Sequence, residues 1–204
     1  IAKFKKPIIL STGMNDLKTI KSSIKIIKRH KTKFALLHCT NLYPTPHKFV
    51  RLGAMQEMMR EFKNVPIGLS DHSVGINTSL GAIALGASII EKHFTAKKNY
   101  KGPDISSSID QNELKELIKG AEEIFQARGG EKKALSSEKK TINFAFASIV
   151  STRNIKKGEK LNRSNIWVKR PFTGDFSAQK YFDVLGKVAK KNIKSGEQLK
   201  KKDI

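Results

Sequence analysis

The sequence has a single cysteine, Cys39, among its 204 residues. This excludes an internal disulfide and fits a reducing compartment. No apolar run approaches the roughly 18 residues that a membrane-spanning helix needs. The first residues lack the charged, apolar and small-residue succession of a secretion signal. The expectation is a cytoplasmic protein without membrane attachment. Aromatic residues are few, at 7%, with one tryptophan. Nucleic-acid modules more often cluster arginine and aromatics on one face. Here lysines are scattered along the whole chain with no basic tail, so nucleic acid is not the expected partner. Acidic residues are also scarce: 18 against 40 Lys and Arg, a net charge of +22. That excess points to an anionic small molecule, or to a lysine-rich surface on an ordinary soluble protein.

What is present is a strand–helix alternation. Short apolar runs at Lys6–Gly13, Phe34–Cys39, Ile67–Asp71 and Ala87–His93 are each followed by a helical pattern. Asn15 or Asp16 caps the first helix, with Leu17, Ile20, Ile24 and Ile27 at helical spacing. The later helices are expected at about 52–62, 77–85 and 111–127. In the last of these Leu114, Leu117, Ile118, Ala121 and Ile124 point inward, and Gly129-Gly130 stops it. The runs are continuously apolar, as strands covered on both faces require. Four such units are half of an eight-stranded barrel, or a small open parallel sheet. The abrupt start of the first strand raises the expectation that a first half of the barrel is missing.

In α/β units of this kind, the polar residues at the C-terminal strand tips carry the chemistry. The sharpest pair is His72, after Ile67-Gly68-Leu69-Ser70-Asp71, and His93, after Ile89-Ile90-Glu91-Lys92. Two imidazoles on adjacent tips can hold one metal ion and leave open positions for water and substrate. The plain alternative is two hydrogen-bonded structural histidines. Asp71 or Glu91 is placed to orient an imidazole from behind. Ser11, Thr12, Asn41 and Ser70 are small hydrogen-bonding residues that suit phosphate or carboxylate oxygens, or simply cap helices. Tyr43 opens a Pro-bracketed loop, and Asp104 closes a Gly-Pro-Asp turn able to accept from a polyol hydroxyl. Cys39 reads as a packed small side chain, and the methionines at 55, 58 and 59 as core.

The character changes after residue 130. Residues 131–142 are charged and read as a linker, and 144–150 read as strand. A repeat follows: Asn154-Ile155-Lys156-Lys157-Gly158-Glu159-Lys160-Leu161 returns as Asn192-Ile193-Lys194-Ser195-Gly196-Glu197-Gln198-Leu199. It points to a small pseudo-symmetric β-rich module at 143–204, with a turn and short helix in each copy. Trp167-Val168-Lys169-Arg170-Pro171 reads either as a recognition loop or as core tryptophan beside solvated arginine.

Taken together, KPIILSTGMN, LLHCTNLYPTP, RLGAM, IGLSDHS, EKHFT, GPDISSSID, ARGG, FAFASIV, NIWVKRPFTGDFSA and LGKVAKKNIKSGEQL resemble the sialic acid synthase (N-acetylneuraminate synthase) family. The resemblance runs the length of the chain. It implies the second half of a (β/α)8 TIM barrel at 1–130, then an SAF, or antifreeze-like, domain at 143–204. It implies metal-dependent condensation of phosphoenolpyruvate with N-acetylmannosamine, giving N-acetylneuraminic acid and phosphate. The cofactor would be Mn or Mg, with His72 and His93 as its ligands. Phosphoenolpyruvate contacts fall on Ser11, Asn41 and Ser70, and sugar contacts on Tyr43 and Asp104. Arg170 would meet the N-acetyl group, with Phe144 nearby, in a domain-swapped homodimer. No general acid or base falls in this half, so the chain alone is expected to be inactive. Legionaminic acid synthesis from a diacetamido hexose is the alternative, and GPDISSSID suits either product better than the pseudaminic branch. A rival of another class is a non-catalytic binder of anionic ligand or carbohydrate.

Overall fold

The computed structural model describes residues 1–204 as two units, Ile1–Gly130 and Glu131–Ile204. In the first, four strands alternate with four helices. They are β1 (Ile8–Ser11), α1 (Leu17–Arg29), β2 (Phe34–Cys39), α2 (Leu52–Glu61), β3 (Ile67–Asp71), α3 (Asn77–Ala84), β4 (Ile90–Lys92) and α4 (Gln111–Ala127). All strand pairs are parallel, in the order β1-β2-β3-β4. This is a curled half-barrel with helices on its outer side.

Local chemistry explains the boundaries. Asp16 and Asp110 each accept from backbone N–H groups of the first turn and so start α1 and α4. α1 buries only Ile20, Ile24 and Ile27 and shows its lysines to solvent. Leu36, Met55, Met58, Ile67 and Leu69 form the main core with Ile20 and Ile24. Truncating a side chain such as Leu36 or Leu69 to alanine would cost about 2–5 kcal/mol. Gly68 is needed where it stands: a Cβ there would lie 2.2 Å from the Ile89 carbonyl oxygen just ahead of β4.

Three sequence expectations change here. β3 is buried throughout and β2 from Ala35 on, but β1 and β4 alternate between half-buried and exposed, because both are sheet edges. The fourth strand is shorter than 87–93; Ser88 joins the ladder through its N–H to Ile67, but regular pairing begins at Ile90. Ile118 is 62% exposed. It borders an apolar groove between α4 and the free edge of β4 and is not part of the inner stripe.

The second unit contains α5 (Lys139–Ala145), β5 (Ser148–Ser151), β6 (Ile166–Lys169) and α6 (Tyr181–Val184). The segment read as linker therefore carries the start of a helix, and Phe144 and Ala145 end that helix instead of opening a strand. β5 and β6 pair antiparallel around a core of Ile149, Ile155, Leu161, Ile166, Ile193 and Leu199. The repeat is a pseudo-twofold. Ile155 and Ile193 exchange backbone hydrogen bonds at 2.9 Å. Asn154 accepts from the Ser195 N–H, and Asn192 from the Lys157 N–H, each at 2.8 Å. Only the second copy is followed by a short helical turn, Lys201–Asp203; the first runs into β6.

Candidate active site

Side chains alternate across a strand. The β3–β4 register pairs Ser70 with Glu91 and Asp71 with Lys92. One face of the tips therefore carries Ser70, His72, Glu91 and His93, and the other Asp71 and Lys92. The first set lines a cavity of about 380 Å³ with Ser11, Gly13, Met14, Cys39, Asn41 and Tyr43. A larger hollow of about 520 Å³ lies between α1 and α2, behind the tips. Its only histidine, His38, is bound to the Val50 carbonyl at 2.7 Å, and burial holds that imidazole below its usual pKa. The paired imidazoles belong to the smaller cavity.

His72 and His93 lie with ring centroids 5.2 Å apart. Tyr43 packs on both, at 4.2 Å from His72 and 5.8 Å from His93. The His72 Nδ1–H donates to the Thr40 carbonyl at 3.1 Å, which fixes the tautomer and leaves Nε2 without a protein partner. The Thr45 N–H in turn donates to the His72 carbonyl at 2.9 Å, so the Tyr43 loop and the β3 tip hold one another. The Asp104 carboxylate stands 3.8 Å from His93 Nδ1. A carbonyl behind one imidazole and a carboxylate beside the other is the usual outer support of metal-binding histidines. No group of three or more His, Cys, Asp and Glu side chains is arranged to hold an ion. The donors on offer are two imidazoles, a set that could hold an ion only with several positions left to substrate and water and that does not fit a closed structural site.

Two expectations about support are corrected. Neither Asp71 nor Glu91 orients an imidazole; Thr40 and Asp104 occupy those places. Glu91 instead accepts from the Ser70 hydroxyl at 2.7 Å and more loosely from Ser11 at 3.5 Å. It thereby joins the tips of β1, β3 and β4 inside the pocket. Its place there follows from strand register, which a single sequence does not display. Asn41 reaches over Gly13, where a Cβ would fall 1.6 Å from its Oδ1. That close approach makes room for the amide at the pocket wall. Cys39 is buried, 3.3 Å from that same oxygen, and burial pushes its thiol up. Burial, reinforced by the charges of Asp104 and Glu91, also pushes the Tyr43 phenol up, so it keeps its proton and can donate.

The structure brings Ser11, Asn41, Tyr43, Ser70, His72 and His93 to one cavity, with Asp104 beside His93. Thr12 turns away to donate to the Leu37 carbonyl. Phe144 and Arg170 lie in the second unit, both exposed. The Phe172 N–H donates to the Asn143 carbonyl at 2.7 Å, bringing their two segments alongside each other. The peptide bonds after Tyr43 and Arg170 are both cis. Trp167 is half exposed and meets Tyr181 edge-on at 5.4 Å.

Residues 1–133 match the family model described as the NeuB family, and 146–204 match the SAF domain. The chain belongs to the NeuB family. It is 46% identical over 204 residues to the N,N'-diacetyllegionaminic acid synthase of Campylobacter jejuni, covering 98% of this chain and 60% of that protein. The pseudaminic acid synthase of the same organism is 38% identical, covering 100% of this chain and 59% of that protein. Among solved structures, the N-acetylneuraminic acid (sialic acid) synthetase of Leptospira borgpetersenii in complex with citrate superposes with a TM-score of 0.64. It is 37% identical and covers 69% of this chain and 50% of that one. The chain thus spans about 60% of the length of the curated relatives it matches. No helix is long and apolar enough to cross a membrane.

Proposed function

We propose that the strand-tip cavity is the metal and phosphoenolpyruvate side of a sialic-acid-type synthase site. The reaction is condensation of phosphoenolpyruvate with an N-acetylated hexose in its open-chain aldehyde form, releasing phosphate and making a nine-carbon acid. The observation that carries this reading is the His72–His93 pair, with one tautomer fixed by Thr40, facing a cavity lined by Ser11, Asn41 and Ser70. A bound Mn or Mg ion would supply Lewis-acid polarisation of the aldehyde oxygen. The remaining steps rest on side chains of this chain. Ser11, Ser70 and Asn41 hold the carboxylate and phosphate oxygens of phosphoenolpyruvate. Glu91 keeps the two serine hydroxyls turned until those oxygens replace it. The Tyr43 phenol and the Asp104 carboxylate hold hydroxyls of the sugar chain. Arg170, with Phe144 beside it, recognises an N-acetyl group from across a domain-swapped dimer. The positive net charge draws in two anions, substrate and product.

The names of the relatives divide the product among legionaminic, pseudaminic and sialic acids. The 46% identity to a diacetyllegionaminic acid synthase favours a 2,4-diacetamido hexose over N-acetylmannosamine as the acceptor. The test is phosphate release from phosphoenolpyruvate with Mn and each sugar in turn, with and without chelator. The chain is assayed as it stands and after addition of the residues that its longer relatives carry ahead of this region. Chelator-sensitive release with the diacetamido sugar supports the reading. Sugar-independent release, or none in either form, refutes it.

A further inference from the structure

Asp71 and Lys92 are directly behind the pocket. Their side chains are 0% and 2% exposed, and the carboxylate and ammonium meet at 3.1 Å. Each is the sequence neighbour of one imidazole: Asp71 precedes His72, and Lys92 precedes His93. The pair is saturated and joins several elements. Asp71 accepts from the Ser73 N–H at 2.9 Å and from the Thr78 and Ser79 hydroxyls of α3, each at 2.7 Å. The Lys92 ammonium also donates to the Ser73 carbonyl at 2.6 Å. One charged contact thus locks the tip of β4 to the tip of β3, to the loop after it and to the first turn of α3.

A buried ion pair is a poor device for stability alone, because desolvation cancels most of its attraction. Apolar residues would hold two strands together at least as well. What the pair adds is direction: it fixes the relative height and twist of two adjacent strand ends. Besides the backbone ladder, the other side-chain tie between these strand ends is the Ser70–Glu91 hydrogen bond on the pocket face.

We infer that Asp71 and Lys92 are positioning residues that set the spacing of the His72 and His93 imidazoles and hence the affinity for a divalent metal. This rests on the metal reading above but concerns two residues that never touch the ion.

Three proteins separate the roles: wild type, Lys92→Met, and Asp71→Asn/Lys92→Met. Lys92→Met strands a buried carboxylate and lowers the melting temperature, and it need not fold well. In the double variant the amide oxygen still accepts from the Ser73 N–H and the amide NH2 donates to the Thr78 and Ser79 hydroxyls; it buries no charge and regains most of that temperature, but its charged cross-strand tie is gone. Mn affinity is read by electron paramagnetic resonance, and the ring-to-ring nuclear Overhauser contact of the two histidines by NMR without metal. The expected result is a double variant with Mn affinity reduced about 10- to 100-fold and the ring contact weakened. Full recovery of ring contact along with melting temperature would make the pair a stability element only and overturn the inference. Wild type that binds no Mn while the ring contact still depends on the pair would refute the metal reading and leave the positioning role standing.

Discussion

In the second unit, buried polar side chains serve backbone. Ser148 accepts from the Gly174 N–H at 3.1 Å. Ser151 donates to the Lys194 carbonyl and accepts from the Glu197 N–H. Asn165 donates to the Lys160 carbonyl and accepts from the Asn162 N–H. Each replaces a missing ladder bond in a fold with only two short strands. In the first unit, Thr12, Thr45 and His38 behave the same way. The second unit has two departures, Asp203 beside Lys191 at 2.9 Å and Asn165 donating also to Glu159 at 3.3 Å; the densest set is at the tips of β3 and β4, where Ser70 meets Glu91 and Asp71 meets Thr78, Ser79 and Lys92. A side chain that satisfies backbone holds a fold; side chains that satisfy one another across adjacent strands shape a site.

The largest break in that comparison comes from Gly68→Ala. The new methyl meets the Ile89 backbone just ahead of β4, which cannot rotate aside as a side chain can. The expected cost is about 3 kcal/mol, with loss of the first unit's melting transition. The second unit has its own core, so its amide signals should persist. Simultaneous loss of both sets would show that the units do not fold separately.

Next in size is His72→Ala. Removing one of the two proposed ligands should weaken Mn binding more than about 100-fold, roughly 2.8 kcal/mol by the tenfold-per-1.4 rule. The fold should remain, since the ring's one backbone bond is to a loop carbonyl. Calorimetric titration with Mn checks this, and an unchanged affinity would move the metal elsewhere. The matching change in the second unit is Asn192→Ala. It removes the bond to the Lys157 N–H and should cost about 1 kcal/mol of stability, with Mn affinity untouched. A drop in affinity there would erase the distinction between fold-holding and site-shaping groups.

How much of this was legible beforehand follows the same line. Apolar runs and aspartate caps are local, so β1 to β3, α1 and α4 can be read from Ile8, Asp16, Phe34, Ile67 and Asp110. His72 and His93 can be read because each ends such a run. The partners of Glu91, Asp71 and Lys92 cannot, since they depend on which residues stand opposite across the sheet. Ile118 misleads because helical spacing counts apolar positions without knowing that β4 is an edge. The alternating Phe-Ala-Phe-Ala stretch has the period of a strand, yet the turn at Ser136–Glu138 leads into a helix that takes Phe144 and Ala145 with it.

The smallest effect sharpens the comparison between the two copies of the repeat. Glu159 bonds Arg153 in the first copy, whereas its counterpart Glu197 stands 3.9 Å from Lys191. The Arg153 guanidinium, with the Lys156 N–H behind it, lowers the Glu159 carboxyl from 4.5 to about 2. A folded-state value below the unfolded one stabilises the fold above about 4.5, and that contribution fades as pH falls toward about 2. The pair is exposed, so salt should shrink the effect. Carboxyl carbon shifts followed by NMR should place the Glu159 midpoint near 2 at low salt. Arg153→Lys, which makes the first copy resemble the second, should raise it, because an ammonium cannot reproduce the planar contact of a guanidinium. A midpoint that does not move would assign the shift to the backbone N–H of Lys156, a feature both copies share through Lys194.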